Sequence, residues 1–241
     1  CPSFAVASYV ALIGLRLNAW DAKYCNLVTH VLREQQANSS NNHHDLRYLE
    51  QQLMQLKPTP SHENSTSGVD DGDIDAQIQH LLDRVCNHGR ELENRELLNQ
   101  CHLAMNRQEI DHVYSGKTVE TILERLRWSQ TPFAQQSTLQ LTHKQCPTSV
   151  KVTLESMIRC VSLEHTANIE DALRRDYRLV LHTIKRQDFQ EGVRSVLYDK
   201  TKKPQWNPSK VEDVDLEQVR RELFDTKART PYEEELPFYE L

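Results

Sequence analysis

Residues 188–208 constrain the fold of this chain more than any other stretch, and they read DFQEGVRSVLYDKTKKPQWNP. Apolar residues recur in the first half at the spacing of one helix face, which predicts an amphipathic helix. They are Phe189, Val193, Val196 and Leu197. We expect Asp188 to cap this helix in a capping box with Glu191, because the two carboxylates stand three residues apart. Pro204 and Pro208 lack N–H donors, so the second half is expected to leave the helix and run extended.

Four segments, in this order along the chain, resemble the patterns of a known family. Residues 14–32 (GLRLNAWDAKYCNLVTHVL) are similar to G-x-x-x-x-A-x-D-A-x-x-x-G-L-V/A-T-H, a pattern of the enoyl-CoA hydratase (crotonase) superfamily. The other three resemble one branch of that superfamily, the 3-hydroxyisobutyryl-CoA hydrolases. Residues 146–157 (CPTSVKVTLESM) match S-P-T-S-L-K-x-T-L, residues 176–179 (DYRL) match E-Y-R-L, and residues 188–208 match D-F-x-E-G-V-R-x-x-L-x-D-K…P-x-W-x-P.

The resemblance implies an α/β crotonase-type fold, of which this chain would be the mainly helical C-terminal part with at most a few short strands. It also implies hydrolysis of 3-hydroxyisobutyryl-CoA, a thioester cleavage in valine breakdown, and a mitochondrial location. In the family, a glycine-rich oxyanion-hole segment and an acidic pair within P-E-x-x-I-G-x-F-P-D-x-G lie upstream of the matching region. We therefore expect no catalytic residue in this chain and no activity from the chain alone. No cofactor is expected.

One binding residue follows from the same resemblance. Residues after the C-terminal helix of the superfamily help to hold the coenzyme A nucleotide, and Lys200 aligns with the lysine of the D-K pair. Lys200 is therefore the candidate CoA-binding residue, with a solubilising turn as the alternative; for Lys202 and Lys203 the solubilising turn is favoured. Trp206 is expected to fill a core edge rather than to stack on adenine. His30, in the T-H pair, is expected to have a structural hydrogen-bonding role rather than a catalytic one.

The partners expected of the chain depend on which of two functions it has. As part of a hydrolase it would meet acyl-CoA if the N-terminal portion were supplied, and other protein would complete its fold. The alternative is a non-catalytic structural component of a mitochondrial ribosome small subunit derived from this family, with ribosomal proteins as neighbours. The net charge of −6 predicts little direct contact with nucleic acid. No apolar run approaches the ~18–20 residues that span a bilayer, so no membrane contact is expected.

Metal binding is not expected from the pattern of possible ligands. Cys86, His88, Cys101 and His102 have spacings that fit no common structural zinc site. An acidic stretch at residues 58–75 lacks the bidentate glutamate that a calcium loop requires. The six cysteines include no C-x-x-C pair, and we expect them to be reduced and mostly buried.

We divide the chain into a remnant of the crotonase core (1–34), a variable helical region with polar linkers (35–112), a C-terminal helical region (113–208), and a terminal helix with an acidic aromatic tail (209–241). Residues 27–32 are expected to form a brief strand. Asn26 stands where the family usually has glycine, so an altered tight turn is expected, although asparagine tolerates the left-handed region better than most residues.

The tail at residues 229–241 shows no periodicity, and we weigh disorder against docking on a partner as an extended peptide. The expected helices are 2–15, 20–26, 46–56, 74–106 with a break at Gly89, 118–128, 133–145, 147–162, 168–186, 188–199 and 213–224.

Overall fold

A computed structural model of the chain describes residues 2–31, 46–56, 71–86, 99–162, 169–200 and 203–224. Every regular element in these ranges is helical, and they contain no strand. The α-helices are α1 (Phe4–Ile13), α2 (Ala19–Tyr24), α3 (Leu46–Gln55), α4 (Asp71–Cys86), α5 (His102–Met105), α6 (Arg107–Tyr114), α7 (Val119–Ser129), α8 (Pro132–Leu139), α9 (Pro147–Ser162), α10 (Ile169–Thr183), α11 (Gln187–Val193) and α12 (Leu216–Leu223). Two π-helical segments, Gln140–Lys144 and Arg194–Tyr198, continue α8 and α11, and Val211–Asp213 is a 3₁₀ turn.

The chain divides into two compact units, which are described separately. One contains residues 17–107 with the first two residues, and the other contains residues 3–16 and 108–241. None of the described helices is both long and apolar enough to cross a membrane. The predicted division into four segments, at residues 34, 112 and 208, stays a prediction.

Helix α1 lies in the core of the larger unit, as its apolar sequence predicts. The hydroxyl of Ser3 caps it by accepting from the N–H of Val6 at 3.2 Å, and Gly14 ends it with φ 64°. Tyr9 contacts the rings of Tyr114 and Phe133 at centroid distances of 5.0 and 5.2 Å. These aromatic contacts join α1 to α6 and α8.

Helix α9 is central to the larger unit and contacts α1, α7 and α12. Two of its charged residues are buried and both are paired. Lys151 Nζ lies 2.7 Å from Glu120 Oε1 and donates to the carbonyl of Val214 at 2.8 Å. Glu155 accepts from Arg220 of α12 at 2.9 Å and from its own helix neighbour Arg159 at 2.8 Å. The pairs fix α7, α9 and α12 to each other, because each buried charge needs its partner.

The smaller unit is organised around the buried carboxylate of Asp21. Asp21 forms a capping box with Asn18 at the start of α2. Its Oδ1 also accepts from the N–H of Leu103 at 3.0 Å and from the thiol of Cys101 at 3.3 Å. One side chain therefore connects α2 with the start of α5. Separately, α3 and α4 pack together around Leu81.

The described segment after α2 contains a left-handed residue and no strand. Asn26, which stands where the family usually has glycine, adopts φ 56°, a conformation that asparagine tolerates better than most residues. The predicted strand at 27–32 is wrong over its described part, because residues 27–31 are irregular. Leu27 and Val28 are exposed rather than paired across a sheet. A strand needs a neighbour for its N–H and C=O groups, and the described residues supply none.

Candidate functional site

An open apolar groove of about 620 Å³ lies in the larger unit. Helix α9 forms one wall, and α11 with its π-helical continuation forms the other. The apolar residues that line the groove are Val152, Phe189, Val193, Val196, Leu197, Trp206 and Leu223. The polar residues are Cys146, Thr148, Ser149, Thr153, Thr183, Arg186 and Asp188. The predicted amphipathic helix over 188–199 is confirmed as α11 and its continuation, and its apolar face is turned to this groove.

Asp188 fixes the extended residues 203–208 against the helices. Its side chain is buried, and Oδ1 accepts from the backbone N–H of Asn207 at 2.8 Å. Oδ2 accepts from the hydroxyl of Thr148 on α9, at a longer 3.4 Å. A hydrogen bond to a carboxylate is roughly twice as strong as one between neutral groups. One carboxylate therefore joins α9, α11 and the extended segment.

Glu191 makes a second attachment one helical turn further along. Its carboxylate accepts from Arg194 at 2.7 Å through both Nε and Nη2, and from the backbone N–H of Gln205 at 2.7 Å. The hydrogen bonds from Arg194, followed by that from Gln205, lower the pKa of Glu191 to about 2. We call the attachments of Asn207 to Asp188 and of Gln205 to Glu191 the carboxylate clamp.

The clamp replaces the capping box that we predicted for the same two residues. Helix α11 begins at Gln187, and Arg186 stands at the N-cap position without a side-chain cap. Asp188 therefore lies inside the first turn, and the prediction that it caps the helix is wrong. Both carboxylates bind backbone N–H groups from 14 and 19 residues downstream instead. The extended segment needs these acceptors, because its backbone N–H groups have no carbonyl partners of the kind that a helix provides.

Trp206 lies between the clamp residues and packs on Gly192. A Cβ atom added to Gly192 would stand 3.4 Å from the indole Cη2 atom. This is an ordinary van der Waals distance, so a methyl group would fit at this position beside the indole. Trp206 is half-buried and lines the groove, and its expected role of filling a core edge rather than stacking on adenine stays a prediction.

The structure does not place the predicted CoA-binding residue inside the groove. Lys200 is exposed in a turn just after the π-helical segment that lines it. The preceding residue, Asp199, lies 3.4 Å from Arg194 Nη1, and this connects the turn with the clamp. Lys203 is also exposed, and Lys202 lies outside the described residues. The role of Lys200 stays a prediction.

His30 lies in the smaller unit. Its Nδ1 is 3.0 Å from the hydroxyl of Thr29, and its Nε2 is 4.0 Å from Asp83. These polar contacts are of the kind that a structural histidine makes, but they do not test whether it takes part in chemistry. Among the residues that the structure describes, no three His, Cys, Asp or Glu side chains gather as a metal site requires.

The paired carboxylates of the larger unit are poorly suited to acid–base chemistry near pH 7. Burial alone would raise the pKa of Glu120, but hydrogen bonds from Lys151 and from the backbone, together with the charge of Lys151, outweigh burial and lower it. Burial would also raise the pKa of Glu155, but the hydrogen bonds from Arg220 and Arg159 and the charges of these two residues lower it. A general base works best with a pKa near the working pH. At the groove, burial raises the pKa of the Cys146 thiol, which disfavours the nucleophilic thiolate.

Sequence reasoning missed both the groove and the clamp. A usable signal for the clamp was present, because two carboxylates precede a segment whose prolines prevent it from forming its own helical hydrogen bonds. The groove had a weaker signal, namely more apolar residues on α11 and its continuation than a single buried stripe needs. Neither signal identifies the residue that meets each carboxylate.

Comparison with known proteins finds a matching family model and several similar proteins. The family model described as enoyl-CoA hydratase/isomerase matches residues 2–224. The chain is 30% identical over 206 residues to the mitochondrial 3-hydroxyisobutyryl-CoA hydrolase of Rattus norvegicus, covering 86% of this chain and 45% of that protein. It is 30% identical over 212 residues to 3-hydroxyisobutyryl-CoA hydrolase 1 of Arabidopsis thaliana, covering 86% and 47%. The chain thus spans about half the length of the curated relatives it matches.

Among solved structures, a carnitinyl-CoA dehydratase from Mycobacterium thermoresistibile superposes with a TM-score of 0.65. The superposition covers 93% of this chain and 52% of that one, at 21% identity. This likeness concerns the fold alone. Together with the family match, it assigns the described helices to a crotonase-type fold.

Proposed function

This chain belongs to the enoyl-CoA hydratase/isomerase family, and we propose that it forms the C-terminal part of a protein that hydrolyses 3-hydroxyisobutyryl-CoA. Support comes from relatives in a mammal and a plant that both bear that activity in their names. The rat and human relatives are also named as mitochondrial, and we propose a mitochondrial location and a role in valine breakdown for this protein.

The observation that carries the proposal is the 30% identity to these hydrolases over 206 and 212 residues, and the clamp is what supports the stretch that resembles them most. The stretch that most resembles the hydrolases, residues 188–208, is held in one arrangement by Asp188 and Glu191. The attached segment keeps Trp206 on the groove, and the turn with Lys200 is connected to the same assembly through Arg194 and Asp199. A substrate-binding element needs this kind of support, because loosely held contacts lose affinity to conformational entropy.

The proposed reaction divides the work between this chain and groups outside its described residues. In thioester hydrolysis, water adds to the carbonyl carbon, the C–S bond breaks, and the products are a carboxylic acid and the CoA thiol. This requires a base for the proton of the water and donors for the oxyanion. The carboxylates of Glu120, Glu155 and Glu191 are occupied by cationic partners. We therefore assign structural support, rather than proton transfer, to these three carboxylates.

Lys200 is the residue that tests substrate binding. We propose that its ammonium group meets a phosphate of the CoA nucleotide. A single solvent-exposed charge pair is worth about 1 kcal/mol at 4 Å in water, which corresponds to an approximately 5-fold change in affinity. Lys200→Ala should therefore raise KM about 5-fold with kcat nearly unchanged, and Lys200→Arg should restore most of the affinity.

The experiment is thiol release from 3-hydroxyisobutyryl-CoA by the full-length protein, followed with a thiol reagent. Lys203→Ala is the matched control, since it removes an exposed lysine three residues away. Thiol release with the expected KM shift supports both the activity and the role of Lys200. Absence of thiol release, or hydration of an enoyl-CoA instead, would reject the hydrolase proposal.

A non-catalytic structural role, as a component of a mitochondrial ribosome small subunit, is the second candidate. The observation that favours a protein-covered surface is α10, which has no fully buried residue among those described. Ile169, Leu173 and Val180 recur along one side of this helix and are 80%, 54% and 55% exposed. Such a stripe favours a protein neighbour over nucleic acid. Co-sedimentation of the native protein with the small subunit, without thiol release, would select this candidate.

A further inference from the structure

The groove has an open apolar side and a cation at its border. Phe189, Val196 and Leu197 line it and are 43%, 63% and 67% exposed. Arg186 lines it as well, with Nη1 3.2 Å from Glu222. The buried Nε of Arg186 has no hydrogen-bond partner within the described part of the chain. The groove therefore offers apolar surface together with a guanidinium group at its border whose side chain is 29% exposed, a combination that suits a segment carrying both apolar and acidic residues.

The chain leaves its last described helix at the edge of this groove. Leu223, at the end of α12, is buried and lines the groove. The next residue, Phe224, is held by the guanidinium of Arg159 at 4.6 Å from its ring centre. Residues 225–241 follow and lie outside the described residues. Any segment that begins here starts next to the groove.

We propose that the C-terminal tail, residues 229–241, docks in this groove of the same molecule. The tail reads RTPYEEELPFYEL and combines the two properties that the groove calls for. Leu236, Phe238 and Tyr239 supply apolar side chains, and the three glutamates at 233–235 supply negative charge for Arg186. Two prolines favour an extended backbone, which reduces the entropy lost on docking.

The connection is long enough and makes docking favourable even if each contact is weak. Glu233 is nine positions beyond Phe224, and an extended chain spans about 3.3 Å per residue, or roughly 30 Å in all. A short flexible connection gives an effective concentration in the millimolar range. A tail with only millimolar affinity as a free peptide would thus occupy the groove about half of the time. This reasoning does not depend on the proposed hydrolase activity.

The test is photo-crosslinking in the full-length protein with p-benzoylphenylalanine in place of Phe238. We expect intramolecular crosslinks, mapped by mass spectrometry, to residues that line the groove. Leu197→Glu places a like charge in the groove and should lower the yield about 10-fold. Leu139→Glu is the matched control, because Leu139 is a similarly exposed leucine, 56% exposed, that does not line the groove. Replacing the three glutamates at 233–235 by glutamine should lower the yield several-fold.

Three results would overturn the proposal. Crosslinks confined to surfaces outside the groove would show that the tail docks elsewhere. Crosslinks only between two molecules would make the groove an interface between copies of this chain. Equal yields from Leu197→Glu and Leu139→Glu would show that the contact does not involve the groove. The circular dichroism spectrum of each variant should equal that of the parent protein, which shows that a changed crosslink yield is not caused by misfolding.

Discussion

Removal of the Asp188 carboxylate is the sharpest test of the clamp. In Asp188→Ala, the backbone N–H of Asn207 loses the acceptor that lies 2.8 Å away, and the hydroxyl of Thr148 loses a partner at 3.4 Å. We expect the extended segment to open more often while the helices remain folded. The reason is that the main-chain connection of residues 203–208 to α11 depends on the two carboxylates rather than on a ladder of backbone hydrogen bonds.

The size of the effect follows from the surroundings of the two donors. A hydrogen bond to a charged group contributes about 1.5–3 kcal/mol. The lower end applies here, since Asn207 is exposed and water replaces part of the lost bond. The 3.4 Å contact with Thr148 is at the limit of a hydrogen bond and adds little. A loss of about 1.5 kcal/mol corresponds to an approximately 10-fold larger opening constant.

Hydrogen–deuterium exchange, resolved to single amides, measures that opening directly. The Asn207 amide should exchange about 10-fold faster in Asp188→Ala than in the parent protein. Asp188→Asn keeps an acceptor oxygen without the charge and should give roughly 3-fold, because neutral hydrogen bonds are about half as strong. Gln190→Ala, at an exposed position of the same helix, serves as the control and should leave the Asn207 amide unchanged.

The reasoning is refuted if the Asn207 amide exchanges at the parent rate in Asp188→Ala while the variant is folded. That outcome would mean that packing of Trp206 on Gly192 holds the segment without the carboxylate. Faster exchange over the whole of α9 and α11 would contradict a different part of the argument. It would show that Asp188 supports the helices themselves, and not only the segment attached to them.

Two further predictions concern the same structure. Gly192→Ala should raise the midpoint temperature of thermal unfolding. The added Cβ would meet Trp206 at an ordinary contact distance of 3.4 Å, and alanine is favoured over glycine in a helix by about 1 kcal/mol. A lower midpoint together with a red-shifted tryptophan emission would mean that the indole had been displaced. The Gln205 amide should stay protected at pH 4 and lose protection toward pH 2. Folding lowers the pKa of Glu191 to about 2. The stabilisation that its carboxylate provides is therefore fully present above the unfolded pKa of about 4.3, and it is lost as the pH falls through the folded pKa. Loss of Gln205 protection already at pH 4 would contradict this prediction. Amides of the helices, followed in the same experiment, show whether the whole protein unfolds in acid.

Helices were predictable from sequence where apolar residues recurred at helical spacing, but their caps were less so. The expected helix at 147–162 matches α9 residue for residue, whereas the helix expected over 2–15 is α1 over 4–13, because Ser3 rather than a residue before Pro2 caps it. The strand at 27–32 failed because a short stretch with four apolar residues out of six carries no information about whether another strand lies beside it. A local pattern predicts a helix, whose hydrogen bonds are internal, better than it predicts a strand.

The candidate site was less predictable for the same physical reason. Spacing within residues 188–191 correctly indicated that two carboxylates bind backbone N–H groups, but it favoured donors of the same helix. The actual donors belong to Gln205 and Asn207, and spacing within the helix does not identify them. The resemblance identified the family correctly, and the match over residues 2–224 confirms it. It did not indicate which residues of the motif build the structure and which are exposed to a ligand.

The clamp separates these two kinds of residue within one motif. Asp188 and Glu191 are occupied by main-chain donors, and Trp206 packs on Gly192. All four would be retained by a relative that kept the fold and had lost the chemistry, because their partners lie within the chain. Lys200 is exposed in its turn and does not take part in the clamp. Substitutions at Asp188 or Gly192 therefore report on folding, whereas a change of KM at Lys200 reports on the ligand.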